Sequence, residues 1–200
     1  MNNKIYAYYE SIGTRKQAEE FARANVWKHT WKLQGWEPIM LNGSHAKGSP
    51  LFQKLIAKLL TVSRSLSASD QNDIQRIFVR FNRWAAIHAA GGGWFSDYDV
   101  INDGFTPKDA ESLLKNRSLI LIGEEKPFCI YANANICQGA IQKFISDELQ
   151  EDQKIKTENE VLNQPNEPVA TLIHFKRDDT KQKSELMNEF FQKKSLDIVI

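Results

Sequence analysis

Two carboxylates two positions apart, Asp97 and Asp99, follow a glycine run in Gly91-Gly92-Gly93-Trp94-Phe95-Ser96-Asp97-Tyr98-Asp99. In an extended segment, side chains at i and i+2 share a face, so the two acids would point into one small volume. Carboxylates that close repel each other unless a cation or a shared proton lies between them. The chemistry this spacing allows is the holding of a hard divalent cation, Mn²⁺ or Mg²⁺, against the phosphates of a substrate. The same residues also build a solvated β-turn, since Asp and Gly both favour turns. Asp-X-Asp is common by chance, so the elements around it carry the decision.

Those elements belong to a chain of 200 residues, a length that suits one domain, here residues 1–200, with enough chain for a real core. Hydrophobic residues are 42% and charged residues 26%, the balance of an ordinary globular protein. The formal net charge of +1 gives no global field toward nucleic acid or an anionic membrane. The two cysteines, Cys129 and Cys137, are too few for a disulfide framework or a four-thiolate zinc site, and free thiols suit a reducing compartment. No apolar run approaches the roughly 20 residues that span a bilayer. The start is too short and too polar for a signal peptide, and the expectation is a cytoplasmic protein without a transmembrane segment.

Ile5 to Glu10 reads as a first strand. A helix follows from a capping box at Thr14 and Gln17, with an apolar stripe through Phe21, Ala22, Val26, His29 and Leu33. Residues 36–41 form a second strand, 42–49 a loop, and Ser49-Pro50 opens a helix carrying Phe52, Leu55, Ile56 and Leu59. Ser69 or Asp70 caps the next helix, whose buried face is Ile74, Ile77, Phe78, Phe81, Trp84, Ala85 and His88. Arg76, Arg80 and Arg83 line a different face of it, either solvated or with one guanidinium turned toward an anion at the aspartates. Further strands are expected near 100–101, 118–123, 128–132 and 169–175, with helices over 106–114 and about 137–151. Residues 151–168 read as a polar loop, and 176–200 as a C-terminal helix and tail. The alternation of strand and helix predicts an α/β fold with a mostly parallel sheet flanked by helices. Ligands in such sheets bind beyond the carboxyl ends of strands, which makes the loops after Glu10, Leu41, Asp99, Tyr131 and Phe175 the expected rim.

The stretch from Arg83 to Asp99 resembles the central motif of sugar-nucleotide glycosyltransferases with a GT-A fold, in particular the group whose sugar-binding region contains the DXD motif and which includes mannosyltransferases. Gly92, Gly93, Phe95, Asp97 and Asp99 match that pattern in order. Tyr131-Ala132-Asn133-Ala134-Asn135-Ile136 resembles the family's asparagine-bearing strand end, and Ile173-His174-Phe175 resembles its late metal-binding histidine. The likeness extends loosely over residues 4 to about 176, and only the Gly-Gly to Asp-X-Asp stretch is specific. Arg80 stands where the family often has an acid, and the third glycine lengthens the interval from Arg83 to the aspartates by one residue.

The resemblance implies a GT-A type, Rossmann-like mixed sheet and a metal-dependent hexosyltransferase. Asp97, Asp99 and His174 would hold Mn²⁺ (or Mg²⁺), with the two aspartates catalytic. Substrate-binding candidates are Tyr8 or Tyr9 for stacking on the base, and Arg15 and Arg83 for phosphate. Gly92, Gly93 and Trp94 would shape the pocket, and Asn133 and Asn135 would meet sugar hydroxyls. The implied partners are a nucleotide-diphosphate sugar donor and a saccharide or other hydroxyl acceptor, with no nucleic acid. Two other readings stay open: a non-catalytic sugar-nucleotide or carbohydrate binding protein of this fold, and a metal-dependent phospho- or nucleotidyltransferase.

Overall fold

Alternating burial along the strands sets the architecture. In β1 (Lys4–Tyr8), Ile5 and Ala7 enter one apolar cluster while Tyr6 and Tyr8 enter another, on the opposite face of the sheet. A strand buried on both faces requires helices on both sides. The computed structural model describes residues 3–10, 17–65, 71–115, 117–123, 128–146 and 172–174. In chain order β1 is followed by α1 (Gln17–Leu33), β2 (Glu37–Leu41), α2 (Gly43–Ala46), α3 (Phe52–Ser65) and α4 (Gln71–Ala89). Then come β3 (Gly92–Ser96), β4 (Val100–Asn102), α5 (Pro107–Leu114), β5 (Leu119–Ile122), β6 (Cys129–Asn133), α6 (Ala134–Ser146) and β7 (Leu172–His174).

The fold is mixed α/β. A five-stranded sheet has the order β2-β1-β3-β6-β5, and β4 and β7 form a separate pair. β1 is parallel to both β2 and β3, whereas β6 is antiparallel to β3 and to β5. Four strands therefore run one way and β6 alone runs back. The cause is the short connection from β5 to β6, since residues 123–128 are too few for the dozen or more that a parallel crossover needs.

On one face, α3, α4 and α6 cover Tyr6, Tyr8, Phe95, Leu121, Ile130 and Ala132. On the other, α1 and α5 enclose an aromatic cluster of Trp27, Trp31, Trp36, Trp94 and Phe105. Trp36 stacks on Phe105 at 5.8 Å and meets Trp31 edge-on at 5.6 Å. The stripe expected for α1 is corrected here. Ala24, Val26, Trp27, Thr30 and Trp31 are buried, while Phe21 and Leu33 are 63% and 52% exposed. Trp27 and Trp31, at i and i+4, offer more apolar area than Phe21 and Leu33, and they fix the rotation of the helix.

Other boundaries shift less. The loop after β2 contains α2, capped by an Asn42–His45 box, and α6 begins at Ala134 rather than Cys137. α5 starts where expected, with Thr106 accepting from the Asp109 amide and Pro107 in the first turn. Thr14, the Ser69/Asp70 cap, the 151–168 loop and the 176–200 helix and tail lie outside the described residues.

Candidate functional site at the carboxyl ends of β1 and β3

The chain leaves β1 toward β2 on one side and later returns to lay β3 on the other. The sheet's topological switch point therefore lies between β1 and β3, and the crevice beyond their carboxyl ends is the natural ligand site. Tyr8, Tyr9 and Glu10 end β1 there, and Ser96, Asp97, Tyr98 and Asp99 leave β3 there. The rings of Tyr9 and Tyr98 meet edge-to-face at 5.6 Å across the two strand ends.

Asp97 and Asp99 are not in an extended segment. The Val100 amide donates to the Asp97 carbonyl at 3.2 Å, which closes a β-turn over Asp97–Val100. The premise that extension alone puts both acids on one face is thus replaced by turn geometry. The turn is held on both flanks. The Trp27 indole N–H donates to Ser96 Oγ at 2.8 Å, and the Trp31 indole N–H to the Val100 carbonyl at 3.3 Å. The Asp97 amide donates to the Phe128 carbonyl at 2.9 Å. Two indoles one helical turn apart on α1 therefore position the residues just before and just after the acidic pair.

Asp97 faces α4, as Phe95 does at the end of β3. There it meets Arg83, whose Nη1 lies 2.5 Å from Asp97 Oδ1 in a partly buried ion pair. The Arg83 guanidinium also lies 5.5 Å from the centre of the Phe95 ring. Of the arginine row, Arg83 reaches Asp97 despite the third glycine. Burial, reinforced by the charge of Asp97, pushes the Cys129 thiol pKa up, and burial raises that of Cys137 to about 12. Both are buried free cysteines, and at neutral pH they are thiols rather than nucleophiles.

Tyr8 is only 4% exposed, and its hydroxyl donates to Glu10. Burial first, then the Glu10 hydrogen bond and charge, drive its pKa up. A ring buried against α4 has no free face for a base, so the stacking role expected of Tyr8 or Tyr9 is left to half-buried Tyr9 alone. Glu10 is a rim carboxylate the sequence reading did not single out. The Tyr8-Tyr9-Glu10 alternation at a strand end was the signal for it.

The structure does not bring the asparagines to this rim. Gly92 pairs with Asn133 and Ser96 with Cys129, so the end of β6 lies beside the start of β3. The five residues of β3 separate its ends by about 13 Å at ~3.3 Å per residue. Asn133 instead caps α6, accepting from the Ile136 amide at 2.9 Å, and exposed Asn135 lies in that helix's first turn. The rim loop expected after Tyr131 is on the far edge for the same reason.

Gly92, Gly93 and Trp94 lie at that far edge too. A Cβ on Gly92 would come within 2.6–2.7 Å of the Ala132–Ala134 backbone, and φ is +80°. The close approach that glycine permits here is to the protein's own chain, not to a ligand at the aspartates. Trp94 is 3% exposed, packed between Trp36, Phe105 and Tyr131. β7 pairs with β4 so that His174 stands opposite Val100, next in sequence to Asp99. Arg15 lies outside the described residues. Among the described residues, no three His, Cys, Asp or Glu side chains gather as a ready metal cage, and no helix is long and apolar enough to cross a membrane. No family model matches the chain, and no curated protein or solved structure matches it.

Proposed function

We propose that this chain is a metal-dependent glycosyltransferase of GT-A type, moving a hexose from a nucleotide-diphosphate sugar to an acceptor hydroxyl. The observation that carries the reading is the acidic turn Asp97-Tyr98-Asp99 at the end of a central strand, at the switch point of the sheet. In the reaction, a bond forms between the acceptor oxygen and the anomeric carbon, the bond to the diphosphate breaks, and the acceptor proton is lost.

Asp97 and Asp99 fit Mn²⁺ or Mg²⁺ in kind, because such ions take one or two carboxylates and draw their remaining oxygens from substrate phosphates and water. When bound, the ion would act as Lewis acid toward the diphosphate and offset the charge that grows on it. The protein's own share is positioning. Trp27 and Trp31 fix the turn, and Arg83 restrains Asp97. Arg83 also brings to the same rim a planar cation suited to phosphate. Tyr9 and Tyr98 form an aromatic wall beside them on which a base or sugar ring can lie. His174, opposite Val100, is the candidate third ligand.

A second reading is favoured by one observation. Arg83 already neutralises part of the charge on Asp97, an arrangement that suits a protein binding sugar nucleotides without turning them over. Donor hydrolysis with Mn²⁺ and with EDTA separates the two. Turnover that needs metal and is lost in Asp97→Ala and in Asp99→Ala supports the transferase. Full activity in either variant, with the circular dichroism of the native chain, sinks it.

A further inference from the structure

A concave site lies at the end of the sheet opposite the aspartates. A cavity of about 230 Å³ opens between α5 and the amino ends of β1 and β3. One wall is Pro107, Ala110, Glu111 and Leu114, spaced i, i+3, i+4 and i+7 along a single face of α5. The opposite wall is Trp94, Tyr131 and Asn133. Trp94 and Tyr131 are register partners and Asn133 is two residues on, so all three stand on the same side of the sheet. Gly91 borders the cavity, and a Cβ added there would meet nothing within 4 Å.

We propose that this cavity binds a single neutral sugar ring. Its size suits a single ring better than a nucleotide, since pockets for drug-sized ligands run from roughly 300 Å³. Lys4 and Glu111 contribute one charge of each sign, so the lining has no preference for an anion such as phosphate. Half-buried Tyr131, backed by the buried Trp94 ring at 5.4 Å, gives an amphipathic surface for the C–H face of a sugar. Two polar groups are placed for its hydroxyls. Asn133 uses its Oδ1 on the Ile136 amide, and its NH₂ makes no hydrogen bond among the described residues. The hydroxyl of half-buried Tyr131 makes none either. The lining mixes apolar groups such as Ala110 and Leu114 with convergent polar ones, which suits a ligand that carries hydroxyls on an apolar ring. The proposal does not rest on the glycosyltransferase reading, because the aspartates lie beyond the opposite end of β3.

The test is an amide NMR titration of the full chain with free glucose, mannose, galactose and N-acetylglucosamine, and with inorganic phosphate as the control. At least one sugar is expected to shift the amides of residues 91–94 and 131–133, with a Kd on the order of millimolar. Tyr131→Phe removes one hydroxyl, and Asn133→Asp keeps the helix cap while losing the NH₂ donor. Each is expected to weaken binding about fivefold, the worth of one hydrogen bond. Asp97→Ala, which would end transferase activity, leaves the titration unchanged. The proposal is overturned if no sugar shifts these amides, if the shifts centre on 97–99, if phosphate binds at 91–94 as well as any sugar, or if both variants bind like the native chain.

Discussion

The ion pair between Arg83 and Asp97 ties α4 to the candidate site, and it cuts two ways. It orders Asp97, but it also means that a dication must share that carboxylate with a guanidinium. The two side chains are 14% and 33% exposed, so removing one leaves a partly desolvated charge. Arg83→Ala is expected to lower unfolding free energy by about 1.5–3 kcal/mol, the range for a hydrogen bond to a charged group. In urea titrations, Arg83→Ala combined with Asp97→Ala should lose less than the sum of the two single changes, because both delete the same contact. The acids were legible in the sequence because their type and spacing name a chemistry. Their turn was legible only as an alternative, since Asp-X-Asp fits both a strand end and a reversal. The glycines misled for a physical reason: close approach looks the same in sequence whether the partner is a phosphate or the Ala132–Ala134 backbone.

Helix α1 does for the site what the acids cannot do alone, and two contacts between elements can be tested directly. Trp27→Phe deletes the N–H that Ser96 Oγ accepts, in a region where both groups are buried. The expected cost is about 1–3 kcal/mol for the stranded hydroxyl, and turnover, if the site is catalytic, should fall further than stability explains, because the turn loses one of its flanking restraints. At the other end of α4, His88 Nδ1 lies 2.9 Å from Ser49 Oγ, which also accepts the Leu51 amide ahead of α3. Burial lowers the His88 pKa below its ordinary 6.5. The unfolded chain therefore takes up a proton at a pH where the folded chain does not. The stability contributed by the neutral ring is whole above about pH 6.5 and is lost as the pH falls through the lower folded value. Urea midpoints should drop across that window, and His88→Gln should flatten the drop. Sequence periodicity placed most of these elements, yet in α1 it found Val26 and missed Trp27 and Trp31. Its weak apolar pattern made Phe21 and Leu33 look equal to Trp27 and Trp31, and only packing against Trp36 and Phe105 distinguishes them.

The sheet has a candidate site beyond each of its ends, and the reversal of β6 decides which residues belong to which. Strand-helix alternation in the sequence pointed to the parallel half, but it says nothing of direction once a helix is missing. The four residues between Gly123 and Phe128 were the overlooked signal, being far too few for a crossover. That one reversal moves Asn133 from the aspartate rim to the opposite cavity, so a sugar nucleotide and a free sugar should stabilise the chain through different residues. A nucleotide-diphosphate sugar supplied with Mn²⁺ at ~100 times its Kd contributes about 2.7 kcal/mol to the folded state. For a chain of 200 residues that is a midpoint rise of about 5–10 °C, at 2–4 °C per kcal/mol. The rise should need both metal and diphosphate, vanish in Asp97→Ala and in Asp99→Ala, and persist in Asn133→Asp. A rise that survives both aspartate changes would place the nucleotide elsewhere. A rise that they abolish, with no donor hydrolysis in the native chain, would leave a sugar-nucleotide binding protein in which the Arg83–Asp97 pair keeps the site from turnover.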